Sequence, residues 1–176
     1  MECIVITLAA LKQRYRNFVV AVMDHAFEQV IRGIEENDFQ DAQRRVGQMQ
    51  FIAECYNYKV IHSDTLFNLL YKLINWDLYG DCADESLEKL DQPSDCFRVR
   101  LVCSLLDCLG KYFSKGKRRL LMDRYLIFFQ RYILQKSYIY MDLEFMLLDT
   151  FDGIRNKNFP KVQTIDEANT ICRRIR

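Results

Sequence analysis

The chain has 176 residues and a formal net charge of +1, and half of its residues are hydrophobic. This composition excludes a disordered tail and suits one domain that buries about two-thirds of its unfolded surface. The longest apolar run near the start, CIVITLAAL, is about half the length needed to cross a bilayer. Seven cysteines, an odd number without framework spacing, favour a reducing compartment, so we expect a soluble intracellular protein.

Helical periodicity runs through most of the chain, which contains only two prolines. The first four predicted helices cover residues 3–14, residues 17–37, a segment from a cap at Asp38 to about Tyr58, and a segment capped by Ser63 or Asp64. Their predicted inner stripes are Phe18, Val22, Phe27, Val30 and Ile34 in the second helix, Ala42, Val46, Met49, Ile52 and Ala53 in the third, and Leu66, Leu69, Leu70, Leu73 and Ile74 in the fourth.

An acidic stretch, residues 77–95, separates the fourth helix from the fifth. It contains seven Asp and Glu residues against Lys89 alone, and Gly80 and Pro93 interrupt it. Few apolar residues can anchor this stretch and its like charges repel, so we expect a mobile connection. Such a run is most often a solvated loop, and the alternative is a patch for a basic partner.

The fifth predicted helix, DCFRVRLVCSLLDCLGKYF over 95–113, contains three cysteines. Its apolar stripe is Phe97, Leu101, Leu105, Leu109 and Phe113. Cys96, Cys103 and Cys108 are spaced by seven and five residues, and neither spacing is the Cys-x-x-Cys of a redox motif or zinc site. Free cysteine usually fills a core as a small hydrophobe, so we expect reduced, structural thiols and no metal.

Three more helices are predicted in the last third of the chain. The sixth follows the basic segment SKGKRR, the seventh runs from Asp142 to about Arg155, and TIDE at 164–167 is a capping box for the last. The predicted inner residues of the sixth are Leu121, Tyr125, Phe128, Phe129, Tyr132 and Ile133. No segment alternates with period two, so the predicted class is all-α. Short loops indicate stacked antiparallel hairpins, an irregular α-solenoid suited to holding macromolecules.

Few residues suit catalysis. His25 lies within a predicted helix and His62 just before one, and neither has a cysteine at ligand or triad spacing. SKGKRR lacks the GxxxxGK[ST] pattern of a P-loop. Its cations are either a basic turn or a contact for RNA phosphates, and they are Lys115, Lys117, Arg118 and Arg119. We predict a binding module that is not an enzyme and has no cofactor.

Four strings carry a family resemblance: QRRVGQMQFIAECYNYKVIHSDTLFNLLYKL, DQPSDCFRVRLVCSLLDCLGKYF, DRYLIFFQRYIL and MDLEFMLLD. They resemble the up-frameshift factor two family, the scaffolds of nonsense-mediated mRNA decay, in the last of three middle-of-initiation-factor-four-G domains. The resemblance extends from about Phe18 to Thr170, and ECYNY and CFRVRLVC separate it from the initiation factor itself. It implies one HEAT-like domain over residues 1–176, in the cytoplasm and near the nucleus.

The resemblance also implies partners. In that family the domain binds the RNA-recognition-motif domain of up-frameshift factor three, whose basic β-sheet meets an acidic surface, and the scaffold links it to the up-frameshift helicase. RNA binding is also implied, with SKGKRR as the candidate. The alternative is an initiation-factor-type helical domain that binds an RNA helicase or RNA directly, and a metal or thiol enzyme ranks behind both.

Residues are carried over by their match to the family, Asp24 and Glu28 as family acids outside the four strings. The partner site implied in this way consists of Glu54, Asp64, Asp24, Glu28 and Asp107, together with His62, where the family usually has an acid. Ser94 likewise replaces a family glutamate. Arg98 and Arg100 match the family too, and we expect them to pair with acids between helices.

Overall fold

A computed structural model describes residues 2–37, 40–75, 91–109, 113, 116–154 and 162–175 and places eight α-helices in them. They are α1 (Glu2–Leu11), α2 (Arg16–Glu36), α3 (Ala42–Asn57), α4 (Ser63–Asn75), α5 (Phe97–Leu109), α6 (Lys117–Leu134), α7 (Met141–Ile154) and α8 (Ile165–Ile175). These residues contain no strand, which confirms the predicted all-α class. Among the helices described, none is long and apolar enough to span a bilayer.

The helices pack in two layers, and within each layer a helix contacts the one two places further along the chain. One layer contains α1, α3, α5 and α7, the other contains α4, α6 and α8, and α2 packs against α1 and α3. A stack of helical hairpins produces this alternation, because each hairpin contributes one helix to each layer. The arrangement confirms the predicted HEAT-like solenoid.

Within the first layer, α3, α5 and α7 run parallel. Near the starts of α3 and α5, the Arg45 guanidinium lies 4.5 Å from the centroid of the Phe97 ring. Near their ends, the Asn57 side chain donates to the carbonyl of Cys108 at 3.1 Å. Between α5 and α7, Arg100 pairs with Asp142 near the starts, and Thr150 donates to Asp107 near the ends. The C-terminal ends of α3, α5 and α7 therefore meet at one edge of the stack.

The central helix, α5, buries most of its residues between its neighbours, including the predicted leucine stripe. Cys96 and Cys103 are buried and Cys108 is half-buried, so the predicted placement of these thiols in the core is confirmed. Burial raises the pKa of Cys103 to about 12, which keeps its thiol protonated and unreactive. The described residues contain no cluster of His, Cys, Asp and Glu able to hold a metal.

Two predicted inner stripes each contain one exposed residue, while their other members are buried or packed against the core. Phe18 is 55% exposed, and Val19 and Met23 are buried in its place on α2. Leu121 is exposed in the same way, and Met122 is buried on α6. Both errors fall where apolar residues are consecutive, because a 3.6-residue period alone does not choose between neighbours there. The predicted stripe of α4 is fully buried and is confirmed.

The caps are partly as predicted. Asp41 is the N-cap of α3, whereas the predicted cap Asp38 lies outside the described residues. The helix α4 begins at Ser63 itself, so Asp64 is within its first turn. The predicted capping box of α8 is confirmed, with the amide of Glu167 donating to the Thr164 hydroxyl at 3.4 Å and the amide of Gln163 donating to the Glu167 carboxylate at 3.2 Å.

Residues 91–95 of the acidic connection make internal contacts, whereas residues 77–90 lie outside the described part, so the mobility of the connection stays a prediction. Asp95 accepts from the amide of Phe97 at 2.8 Å and from the Asn37 side chain at 2.9 Å. The Asp91 carboxylate is buried against Lys136 and Arg98. These contacts position the segment that leads into α5. The cations beside Asp91 also offset its repulsion with Asp95.

Candidate protein-docking site

Glu54 lies in the last turn of α3, where this helix meets the end of α5. Its carboxylate is half-buried, and the Asn57 side chain reaches it at 3.5 Å while donating to the carbonyl of Cys108. After burial, the nearby Glu54 carboxylate is the largest cause that raises the pKa of the Cys108 thiol. The predicted partner residue is thus held at the contact between two helix ends.

Asp107 occupies the corresponding last turn of α5. The Thr150 hydroxyl of α7 donates to its carboxylate at 2.6 Å, which fixes the side chain while leaving the residue exposed on the surface. Packing around the carboxyl raises the pKa of Asp107, and the neighbouring Asp149 carboxylate raises it further. Both causes disfavour the negative charge, and the Thr150 hydrogen bond offsets them in part.

Glu54, Asp107 and Asp149 form an acidic edge that crosses α3, α5 and α7. The Cys108 thiol links the first two, since both carboxylates raise its pKa. The described last turns of these three helices contain no basic residue, although cations stabilise a helix C-terminus through its partial negative charge. The edge therefore adds acids where the helix dipoles are already negative.

The other partner candidates lie at different distances from this edge. His62 is exposed on the turn after α3 and Asp64 is exposed in the first turn of α4. The Tyr56 hydroxyl, 3.1 Å from that of Ser63, ties this turn to the end of α3. Asp24 and Glu28 are exposed one turn apart on α2, and the described contacts do not bring them to the acidic edge. The structure thus brings Glu54, Asp107 and the His62 turn to one side of the stack.

Asp149 was absent from the predicted site. The family strings include it, but its role emerges only when α7 packs parallel to α5 and places it beside Asp107. A usable sequence signal existed, since α7 carries four acids and no base. Assigning these acids to the predicted site required knowing which helix ends lie together.

The basic segment SKGKRR leads into the first turn of α6. Lys117 and Arg118 are exposed there, and Lys115 lies outside the described residues. The Arg119 guanidinium instead donates to the carbonyl of Ile154 at 2.5 Å and pairs with Asp123 at 3.0 Å. Of the predicted RNA-binding cations, Arg119 is therefore engaged within the domain, and two described cations are available to a partner.

The expected structural role of the α5 arginines is confirmed. Arg98 is fully buried, with its guanidinium 3.7 Å from the Asp91 carboxylate. Arg100 donates to Asp142 at 2.6 Å across α5 and α7. Neither arginine contributes to the acidic edge, so the two family matches are part of the framework.

Comparison with known proteins identifies a domain family and several sequence relatives. The chain matches the MIF4G domain over residues 2–157. It is 41% identical over 161 residues to Regulator of nonsense transcripts UPF2 of Arabidopsis thaliana, covering 92% of this chain and 13% of that protein. It is 30% identical over 184 residues to Regulator of nonsense transcripts 2 of Homo sapiens, covering 99% and 14% respectively.

A more distant relative is also named for nonsense-mediated mRNA decay. The chain is 27% identical over 154 residues to Nonsense-mediated mRNA decay protein 2 of Saccharomyces cerevisiae, covering 85% of this chain and 14% of that protein. The chain thus spans 13% to 14% of the length of these curated relatives. Since the domain match extends over most of the helical stack, the chain belongs to the MIF4G domain family.

Proposed function

We propose that this domain is a scaffold module of nonsense-mediated mRNA decay that docks the RNA-recognition-motif domain of up-frameshift factor three. It corresponds in this proposal to the last of the three MIF4G domains of an up-frameshift factor two protein, which links that partner to the up-frameshift helicase. The names of its relatives support the pathway. The acidic edge supports the mode of binding, and it is the observation that carries the proposal.

The acidic edge carries negative charge that favours the binding of a cationic group. The described last turns of three neighbouring helices contain no basic residue, and the described contacts bring Asp107 close enough to Asp149 to raise the pKa of Asp107. This arrangement does not stabilise the isolated domain, because acids and helix C-termini repel each other. A basic β-sheet placed on the edge offsets that repulsion and gains attraction from several acids at once.

Glu54→Arg tests the proposal directly. An acid facing a basic sheet contributes attraction and orientation, and reversal replaces them with repulsion. The expected loss is about 2–5 kcal/mol, as for truncation of a buried charge pair, which weakens affinity at least about thirtyfold. The measurement is a calorimetric titration of the 176-residue chain with the RNA-recognition-motif domain of up-frameshift factor three, accompanied by thermal melting.

Glu35→Arg is the matched control, since Glu35 is an exposed acid near the end of α2 and undergoes the same change of charge. Its affinity should stay near that of the wild type. If Glu54→Arg binds normally and melts normally, the edge is not the docking site. If both variants weaken binding equally, the attraction comes from total charge and the acidic edge has no special role.

RNA binding is a second candidate function, supported by Lys117 and Arg118. Both are exposed in the first turn of α6, where no acid is present and cations oppose the helix dipole. Such cations attract RNA phosphates, and the free backbone amides at the start of a helix can donate hydrogen bonds to them. The initiation-factor-type alternative, direct binding of a helicase, is separated from both by a pull-down that offers a helicase, the RNA-recognition-motif domain and RNA to the same chain.

A further inference from the structure

The outer face of α7 exposes a row of large apolar side chains. Met141, Phe145 and Leu148 are 70%, 62% and 52% exposed. Their spacing of four and three residues places them on one face of the helix. On the other side of α7, Leu143, Leu147 and neighbouring residues are buried in the stack. The α7 face, defined by Met141, Phe145 and Leu148, therefore lies opposite the side that holds the helix in the fold.

Two tyrosines extend the α7 face at its N-terminal end. Tyr138 and Tyr140 are exposed and pack edge to face, with ring centroids 5.3 Å apart. Beside them is a groove of about 470 Å³, whose apolar walls come from Tyr140, Phe97 and Leu143. Polar residues complete the lining of this groove, among them Gln92, Ser94 and Arg100. Large apolar side chains exposed together in this way usually mark an interaction site.

Acids border the α7 face on both sides. At 3.6 residues per turn, Glu144 falls on one side of the apolar row and Asp142 and Asp149 on the other, with Asp152 continuing the row. All four are exposed, and the α7 sequence contains no lysine or arginine. Asp142 already pairs with Arg100 at 2.6 Å, so the other three supply most of the unbalanced charge.

We propose that the α7 face binds an amphipathic helix of a partner protein, one with an apolar stripe flanked by lysine or arginine on both sides. Anchors spaced four and three residues apart suit a helix lying along α7, as α7 itself lies along α5. The flanking acids select the sign of the partner's charge. This site goes beyond the docking of up-frameshift factor three, because its apolar row lies on the outer face of α7, and Asp149 is the one residue it shares with the acidic edge.

A second copy of the chain is the competing occupant. Its exposed Leu120 and Leu121, beside Arg118 and Arg124, would supply apolar and basic groups. That contact would join two different surfaces of the chain, and it closes into a dimer or a ring only when the rotation between the copies allows it. Charge complementarity alone allows both occupants. Leu120 and Leu121 are adjacent in the sequence and do not repeat the four-and-three spacing of the α7 row, which favours the partner helix.

The test uses a labelled peptide of leucine and lysine, about five helical turns long, with leucines spaced as in the α7 row. Fluorescence anisotropy should report binding to the full 176-residue chain. Phe145→Ala should weaken binding at least about tenfold, as expected of a central apolar anchor. Phe18→Ala is the matched control, because Phe18 is 55% exposed on α2, and it should bind the peptide as the wild type does.

Further arms identify what the peptide recognises. A peptide with glutamate in place of lysine should not bind, and Glu144→Lys should weaken binding of the lysine peptide without altering the melt. Glu54→Arg should leave peptide binding intact, so this inference and the proposed function fail separately. Equal loss in Phe145→Ala and Phe18→Ala, or equal binding of a scrambled peptide, would overturn the proposal. Sedimentation that shows self-assembly dispersed by Phe145→Ala would assign the face to a second copy and overturn it too.

Discussion

At the scale of single residues, Asp91 organises the entry to α5. Its side chain is 6% exposed, accepts from the Tyr132 hydroxyl at 2.9 Å and pairs with Lys136 at 2.5 Å. The Arg98 guanidinium lies 3.7 Å away. Burial, followed by the Asp91 carboxylate, raises the pKa of Tyr132 far above its usual range, so this hydroxyl remains a donor. The Asp91 carboxylate therefore interacts with two buried cations.

Asp91→Asn should lower the free energy of unfolding by about 3–5 kcal/mol, because it removes the buried carboxylate charge that pairs with the buried Lys136 ammonium at 2.5 Å. Asp142→Asn is the matched control: it breaks the exposed pair with Arg100 and should lose less than about 1 kcal/mol. Urea denaturation of both variants measures the difference. Equal values for the two would mean that the Asp91 cluster does not hold the segment before α5.

Sequence reasoning was most successful for residues whose role depends on their own helix. The leucines of α4 and the cysteines of α5 were placed correctly because spacing along one helix decides burial. Asp149 and Arg119 depend on a neighbour: Asp149 joins the edge beside Asp107, and Arg119 reaches the carbonyl of Ile154. A sequence without contacts gives no measure of such proximity, so these two roles required the fold.

At the scale of elements, α6 begins with charges that oppose its own dipole. Lys117 and Arg118 occupy its first turn with no acid among them, and Gly116 precedes the helix at a φ of 72°. Cations near a helix N-terminus lower stability by about 0.3–1 kcal/mol each when exposed. By contrast, α8 has acids in its first turn and arginines in its last. The start of α6 therefore departs from what stability alone favours, as binding surfaces often do.

The double variant Lys117→Gln and Arg118→Gln should separate binding from stability. If these cations contact phosphates, the slope of log affinity for single-stranded RNA against log salt should decrease by about 1.4, at roughly 0.7 per phosphate contact. The same variant should melt at a higher temperature, because the dipole is no longer opposed. Weaker binding of a more stable protein is a combination that unfolding cannot produce.

Arg173→Gln with Arg174→Gln is the control for this prediction. These exposed arginines complement the dipole in the last turn of α8, so their loss should lower the melting temperature and leave the salt slope unchanged. An unchanged salt slope in the α6 variant would mean that Lys117 and Arg118 form a basic turn and do not contact RNA phosphates. The two pairs remove the same charge from opposite helix ends, which isolates the effect of position.

At the scale of the whole molecule, parallel stacking gathers like charges. Three helix ends of the first layer meet one edge, and each brings an acid to it. The stack also leaves the outer face of α7 open, while α5 is covered on both sides by α3 and α7. Both surfaces follow from the order of helices in the layer. Hairpin stacking was predictable from sequence, but the acids that share an edge were not, because the register between helices decides which ends meet.

The charge of the whole chain hides this segregation. A formal net charge of +1 would repel a basic partner weakly if it were spread evenly, so attraction depends on the local field of the acidic edge. Salt screens such a field over a Debye length of about 8 Å at physiological ionic strength. The rate of association is therefore the quantity that distinguishes a segregated charge from the average.

We expect the association rate with the RNA-recognition-motif domain of up-frameshift factor three to fall with salt, by about tenfold or more as in electrostatically steered pairs, while dissociation changes less. Stopped-flow fluorescence over a range of salt concentrations measures both rates. Glu54→Arg should flatten the dependence, and His62→Glu should steepen it, because His62 is exposed on the turn beside the edge and the change adds an acid there. A wild-type rate that is flat or rises with salt would mean that the average charge governs the encounter, and steering by the acidic edge would then be wrong.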